Sequence, residues 1–172
     1  MINDHQSEVK EGQYLTFLLN SQIYGVPIGA VREINEVTEI NPIPKTPEFV
    51  IGVMNLRGKV VPVVDLRMKF GMKSIPNTPE TCIIVIDTQV GQVGTVVDSV
   101  CEVIELSNAQ IEPPPVLGDS NELSFVSGMG LLNDKVIILI DIVSALSKEE
   151  FMKTQLPVAE PDAINIKKGN AA

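Results

Sequence analysis

The chain has no tryptophan, one histidine and two cysteines among its 172 residues, and each scarcity removes a class of function. The histidine, His5, lies in the polar start "MINDHQSEVKEGQ", so no histidine remains to build a nucleophile–base pair or a usual zinc site in the apolar body of the chain. Cys82 and Cys101 have no CxxC or other metal-like spacing and read as reduced packing residues. Apolar runs stop well short of the roughly 18 to 20 residues a membrane helix needs. The start is too polar for a secretory signal, so the protein is expected in the cytoplasm. Positive charge is in deficit, 13 Lys and Arg against 22 Asp and Glu for a net −9, whereas a nucleic-acid surface announces itself as a basic patch. The glycines of "GQVG" and "GMG" neither open a helix after a strand nor precede a Walker-type lysine, so nucleotide binding has no support.

Hydrophobic residues make up 44% of the chain and charged residues 20%, the mixture of a soluble globular protein. Valine, isoleucine and leucine carry the apolar mass, and β-branched side chains fit strands, so the core is expected to be β-rich. Residues 1–12 are polar and acidic. Residues 147–172 lose the apolar rhythm, apart from a short helix expected over "SKEEFMKTQ". The folded part is therefore expected to span residues 13–146.

Within it one unit is written twice. "GVPIGAVREI" (25–34) matches "GTVVDSVCEV" (94–103), with Gly25, Val31, Glu33 and Ile34 recurring as Gly94, Val100, Glu102 and Val103, 69 residues on (94 − 25). "FVIGVMNLRGKVVPVVDL" (49–66) matches "FVSGMGLLNDKVIILIDI" (125–142). There Phe49, Val50, Gly52, Lys59, Val60 and Asp65 recur as Phe125, Val126, Gly128, Lys135, Val136 and Asp141, 76 residues on (125 − 49). The difference between the two separations places an insertion in the second copy, and "IEPPPVLGDSNELS" is the place for it, because consecutive prolines cannot continue a strand ladder.

Each copy reads as five short strands. In the first these are "QYLTFLL", "IYGVP", a strand at "VTEINPI" after a helical or bent "IGAVREI", and a hairpin of "VIGVMNL" and "KVVPVVDL". The second repeats them as "TCIIVID", "QVGTVV", "VCEVIEL", "FVSGMGLL" and "KVIILID". Short strands with little helix suggest a small closed or nearly closed barrel per copy, which removes exposed edges. At the hairpin tip Arg57-Gly58 aligns with Asn133-Asp134, a dipeptide that turns without help. The turn therefore needs no arginine, and Arg57 is either a solvated loop charge or a residue that faces a partner.

The acidic residues give no convincing catalytic pair. A two-copy β protein with "DTQ" (87–89) invites comparison with the paired carboxylates of aspartic proteases, yet Asp87 aligns with Leu18. Asp65 and Asp141 do repeat, but each ends a strand and opens a short helical segment, the position of an N-cap. Glu33 and Glu102 repeat as well, and their role stays open between the repeat unit itself and a surface contact.

The block "TPEFVIGVMNLRGKVVPVVDLRMKFG" (46–71), with "YGVPIGAVREI", "VGTVVDSVCEVIEL" and "SGMGLLNDKVIILIDI" around it, resembles the CheW family, the coupling proteins of bacterial chemotaxis. The resemblance covers nearly all of residues 13–146. It implies a mainly β fold of two pseudo-symmetric five-stranded Src-homology-3-like barrels, intertwined near residues 66–81. It also implies a scaffold with no catalysis and no cofactor. Such a protein bridges the cytoplasmic tip of a methyl-accepting receptor, a helical hairpin, to the regulatory domain of the CheA histidine kinase, at membrane-associated receptor arrays. Residue by residue, the resemblance implicates Arg57 of the NLRG turn in coupling and Val31 and Glu33 in partner contact. Gly52 matches the glycine opening the hairpin, where a side chain would crowd the backbone. It further implies a hydrophobic groove for the receptor helix, for which Ile28, Val31, Val97 and Val100 are the candidates. The alternatives are a CheV-type or kinase-derived regulatory module, which the short chain disfavours, and a small acidic hydrolase, which requires Asp65 or Asp87 paired with a second carboxylate.

Overall fold

The structure, a computed structural model, describes residues 10–115 and 125–153. The residues where the insertion was expected to loop out, 116–124, and most of both expected tails lie outside that range. The first hairpin joins β1 (Gly12–Leu19) to β2 (Gln22–Pro27), and a 3-10 turn at Ile28–Ala30 leads into β3 (Val31–Glu36). A second hairpin, β4 (Val50–Leu56) and β5 (Lys59–Asp65), ends in α1 (Leu66–Lys69). The second copy follows as β6 (Cys82–Thr88), β7 (Gly91–Val97), β8 (Ser99–Leu106), the short β9 (Ile111–Glu112), β10 (Val126–Leu132) and β11 (Lys135–Ile140). It closes with α2 (Ile142–Ala145) and α3 (Lys148–Lys153).

The third strand of copy one differs from expectation. It occupies Val31–Glu36, and its residues alternate between half-buried and exposed, the period of a strand. Of the segment 37–43 only Asn41 pairs, in an isolated bridge to Val53. Pro42 and Pro44 supply no N–H and cannot extend a ladder there.

The fold is mainly β, in two sheets, with strand orders β8-β1-β2-β11-β10-β9 and β3-β6-β7-β5-β4. Neither sheet belongs to one copy. The β1–β2 hairpin pairs with strands of copy two, and the β6–β7 hairpin with strands of copy one. The registers show that these are the same exchange made twice. Phe17 opposes Val100 and Ile86 opposes Val31, equivalent pairs at the 69-residue separation. Gly25 opposes Leu139 and Gly94 opposes Val63 in the two parallel pairings, equivalent once both separations are applied. Residues 66–81, where the intertwining was expected, join β5 to β6 within one sheet. Among the described residues the chain passes between sheets twice, from β2 to β3 and from β7 to β8.

Each sheet curls until its ends approach. In the first, a methyl placed on Gly130 of β10 would stand 2.8 Å from Leu106 of β8, near the opposite end of the strand order. In the second, Arg57 at the β4–β5 tip reaches Glu33 of β3. One apolar cluster fills each sheet, the first around Leu106, Ile137 and Leu139 and the second around Met54, Val63 and Val85. A third, with Phe17, Val26, Val64, Ile84, Val97 and Ile140, lies between them. Burying each such side chain is worth about 2 kcal/mol, so this central layer holds the sheets together.

The expected boundary at residue 146 falls short. Phe151 of α3 packs on Phe49 with ring centroids 5.6 Å apart. The Lys69 ammonium lies 3.2 Å from Glu150 and over the rings of Phe49 and Phe125, at 4.6 and 5.2 Å from their centroids. Those two phenylalanines are repeat equivalents, so Lys69 sits close to the pseudo-symmetry axis and fastens α3 across it.

Candidate partner-binding face

Ile28 and Val31 hold the repeat positions of Val97 and Val100, and the fold places each pair at one of the two crossovers. Ile28 and Val31 flank the β2–β3 crossover; Val97 and Val100 flank the β7–β8 crossover. Ile28, Val31 and Val100 are half-buried and pack against the central cluster with one side while keeping surface on the other. Val97 is a correction: its exposure is 0%, it belongs to the core between the sheets, and it lines no groove. Beside Ile28, a recess of about 240 Å³ is lined by Tyr14, Pro27, Ala30, Ile140, Ile142 and Val143, among others.

Arg57 and Glu33 come together although 24 residues separate them (57 − 33). Arg57 Nη1 lies 3.0 Å from Glu33 Oε2, with the arginine side chain 78% exposed and the glutamate 19%. The Asn35 amide donates to Glu33 Oε1 at 2.9 Å. That hydrogen bond, then the charge of Arg57, hold the Glu33 carboxyl below the usual carboxylate range against the opposing effect of desolvation. Arg57 has φ 53°, and Gly58 after it φ 85°. Both are positive, as a two-residue type I′ hairpin requires. Asn133 and Asp134 do the same in copy two with φ 50° and 63°. An arginine carries the steric cost of this conformation where asparagine is better tolerated. An exposed ion pair contributes at most about 1 kcal/mol, so neither turn geometry nor stability accounts for Arg57.

Around this pair stand exposed apolar residues that sequence reasoning did not single out. Val60, on the strand leaving the tip, is 74% exposed, and Ile34 of β3 is also exposed. Their repeat equivalents Val136 and Val103 are exposed too. The repeat held this signal, since surface valines kept in both copies are not needed to fill a core.

At Gly52 a side chain would crowd the backbone, as the resemblance implies. The glycine is buried at the β-bulge of β4, has φ 150°, and a methyl there would overlap the Asn41 carbonyl oxygen and approach the Ile40 side chain. It fixes the bridge between Asn41 and Val53 and presents nothing to a partner.

Asp65 and Asp141 are N-caps, as expected, accepting from the backbone N–H groups of Arg67 and Ser144. Asp65 does more, and sequence reasoning missed it. Arg67 is 2% exposed and bidentate to Asp65, with Nε 2.9 Å from Oδ1 and Nη2 3.0 Å from Oδ2. Its Nη1 donates to Asp98 Oδ1 at 2.9 Å and to the Ile75 carbonyl at 3.3 Å. Ser74 Oγ adds a bond to Asp65 Oδ2 at 2.9 Å. Burial alone would raise the Asp65 carboxyl, but the hydrogen bonds from Arg67 and Ser74 and the arginine's charge outweigh it and hold the group below the usual range. The two aspartates thus share a guanidinium, the reverse of an acid pair sharing a proton. Asp87 is half-exposed, 3.8 Å from Arg32. The hydrolase alternative loses both of its candidate carboxylates. The readable signal for Arg67 was its repeat equivalent, Val143: a cation where the other copy holds an apolar residue.

Half-buried aliphatic side chains and an exposed, oriented guanidinium are the ingredients of a protein interface. Two exchanged β-sheets carrying such a face define a small β scaffold. A sequence model described as the CheW-like domain matches residues 13–150. The chain is 38% identical over 138 residues to the chemotaxis protein CheW of Klebsiella aerogenes, covering 80% of this chain and 83% of that protein. It is 36% identical to CheW of Rhizobium meliloti, over 80% and 89% of the two chains. The crystal structure of scaffolding protein TtCheW from Thermoanaerobacter tengcongensis superposes with a TM-score of 0.72 at 36% identity, covering 78% of this chain and 92% of that one. The chain belongs to the CheW-like family, and its function is that of a chemotaxis adaptor.

Proposed function

We propose that this adaptor couples the helical tip of a methyl-accepting chemoreceptor to the regulatory domain of a CheA-type histidine kinase, acting in the cytoplasm at the receptor array. The observation that supports the reading is that Ile28, Val31 and Val100 each pack one side against the central cluster and keep apolar surface at the crossovers. An amphipathic helix lays an apolar stripe into a groove of this chemistry. Arg57, held by Glu33 with donors to spare, supplies a second contact of different character, suited to a polar partner surface. Among the described residues no helix is long and apolar enough to cross a membrane, so attachment to an array would come through the partners.

The reading is tested by immobilising this chain and presenting a purified CheA-type kinase and a receptor signalling fragment separately and together. Retention of each alone, and of a ternary complex that restores kinase control, is the expected result. Retention of neither would remove the coupling role.

A further inference from the structure

The two crossovers are pseudo-symmetric, but a buried arginine bridging two aspartates stands at only one of them. At β7–β8, Asp98 accepts from the Asn20 N–H at 2.7 Å, and its own N–H donates to the Leu18 carbonyl at 3.0 Å, so it is anchored to the hairpin of the first sheet. Arg67 ties this anchor to Asp65 at the end of β5, in the second sheet. A continuous chain of hydrogen bonds therefore runs from one sheet to the other through a buried guanidinium. At β2–β3 the equivalent of Asp98 is Gly29 and the equivalent of Arg67 is Val143. The recess of about 240 Å³, lined by Pro27, Ala30 and Val143, lies there instead.

Stability does not explain the brace. Replacing a buried ion pair by well-packed apolar groups is often neutral or stabilising, and the second copy carries Val143 where the first has Arg67. What three directional, charge-assisted partners supply is a single geometry. We infer that Arg67 is a positioning residue: it locks the β7–β8 crossover and thereby fixes the angle between the two sheets. Arg67 touches no partner itself. It sets the spacing of Val31 and Val100, which lie on different sheets. This consequence for binding rests on the coupling reading above, whereas the brace itself does not.

The test measures inter-sheet distance in the free protein. Spin labels at Glu36→Cys and Glu105→Cys, with Cys82→Ser and Cys101→Ser, report from exposed, repeat-equivalent positions on β3 and β8, one in each sheet. With Arg67 intact a single narrow distance distribution is expected. Arg67→Met, which keeps the bulk and removes the guanidinium, should broaden or split it while circular dichroism and a cooperative melt are retained. Asp98→Asn, which leaves the Asp65 pair in place, serves if Arg67→Met does not fold and should broaden it too. If the population with the correct angle falls to about one tenth, apparent receptor affinity falls about tenfold through that fraction alone. An unchanged distribution in a folded variant overturns the inference, and so does loss of the cooperative melt in both variants, since Arg67 would then hold the fold and not the angle. Normal distances with absent receptor binding in the unbraced and intact proteins alike would count against the coupling reading separately.

Discussion

Arg57 and Gly52 lie five positions apart in one hairpin and do opposite things. The arginine occupies a turn that Asn133 makes more comfortably, and its ion pair with Glu33 is exposed. Arg57→Ala should therefore shift stability by no more than about 1 kcal/mol. Loss of an interface anchor worth about 2 kcal/mol would weaken partner binding roughly thirtyfold. Asn133→Ala at the matching tip should leave binding near normal, so titrating both variants against kinase and receptor separates the two copies. Equal binding losses would mean that hairpin geometry matters and the guanidinium does not. Gly52→Ala should instead unfold the protein more easily, by about 3 kcal/mol in chemical denaturation, because a side chain meets backbone in a conformation only glycine adopts freely. Normal stability in that variant would show that the Asn41 carbonyl does not hold the position closed. Both positions stood out in the sequence through the repeat and the resemblance, which also implied that a side chain at Gly52 would crowd the backbone; that the crowding backbone is Asn41 was not legible, because nothing near Gly52 announces its approach.

At the level of elements, α1 is only four residues long and too short to stand alone, so its ion network matters more than its helical bonds. Asp65, the N-cap, is held below the usual carboxylate range in the folded state. The sign follows: its contribution is present above the unfolded value of about 3.9 and is lost as pH falls through the lower folded value. Denaturant unfolding of the wild type and of Asp65→Asn should differ at pH 6, with the gap closing as the solution is acidified below about pH 4. A gap that stays constant would show that the carboxylate charge is not what Arg67 requires. The capping role was legible from "VVDLR" and "LIDIV", whereas the guanidinium's third partner, Asp98, arrives from a distant crossover. The strand at Val31–Glu36 was misread one element late, although its repeat equivalent "VCEVIEL" was read correctly; the alignment of Val31 with Val100 already required both to be strands.

For the whole molecule, the repeat made a two-part β architecture legible, but not the exchange of hairpins. β1 would satisfy its hydrogen bonds equally well against either copy's third strand, since the backbone donors and acceptors of the two are the same. Only the crossovers and the central core decide between them. The same ambiguity misplaced Val97, whose equivalence to Ile28 was taken to imply equal exposure. Because Val31 and Val100 keep apolar surface at the crossovers, Val31→Glu and Val100→Glu each should weaken receptor binding more than kinase binding, as a desolvated, unpaired carboxylate is costly in an apolar contact. Val97→Glu should abolish folding. Parallel loss of receptor and kinase binding in the first two would mark them as core residues as well.

The exchange of hairpins also dictates how the chain comes into being. The β1–β2 hairpin leaves the ribosome early, yet its partners β8 and β11 end at residues 106 and 140, so at ordinary synthesis speed it waits roughly 10 s with both edges open. A nascent first copy cannot close its own sheet, and in a crowded polysome the nearest β8 is often a neighbour's. The architecture that joins two sheets into one adaptor thus makes newborn chains competitors for each other's strands, a hazard that a chaperone covering the open edges would limit.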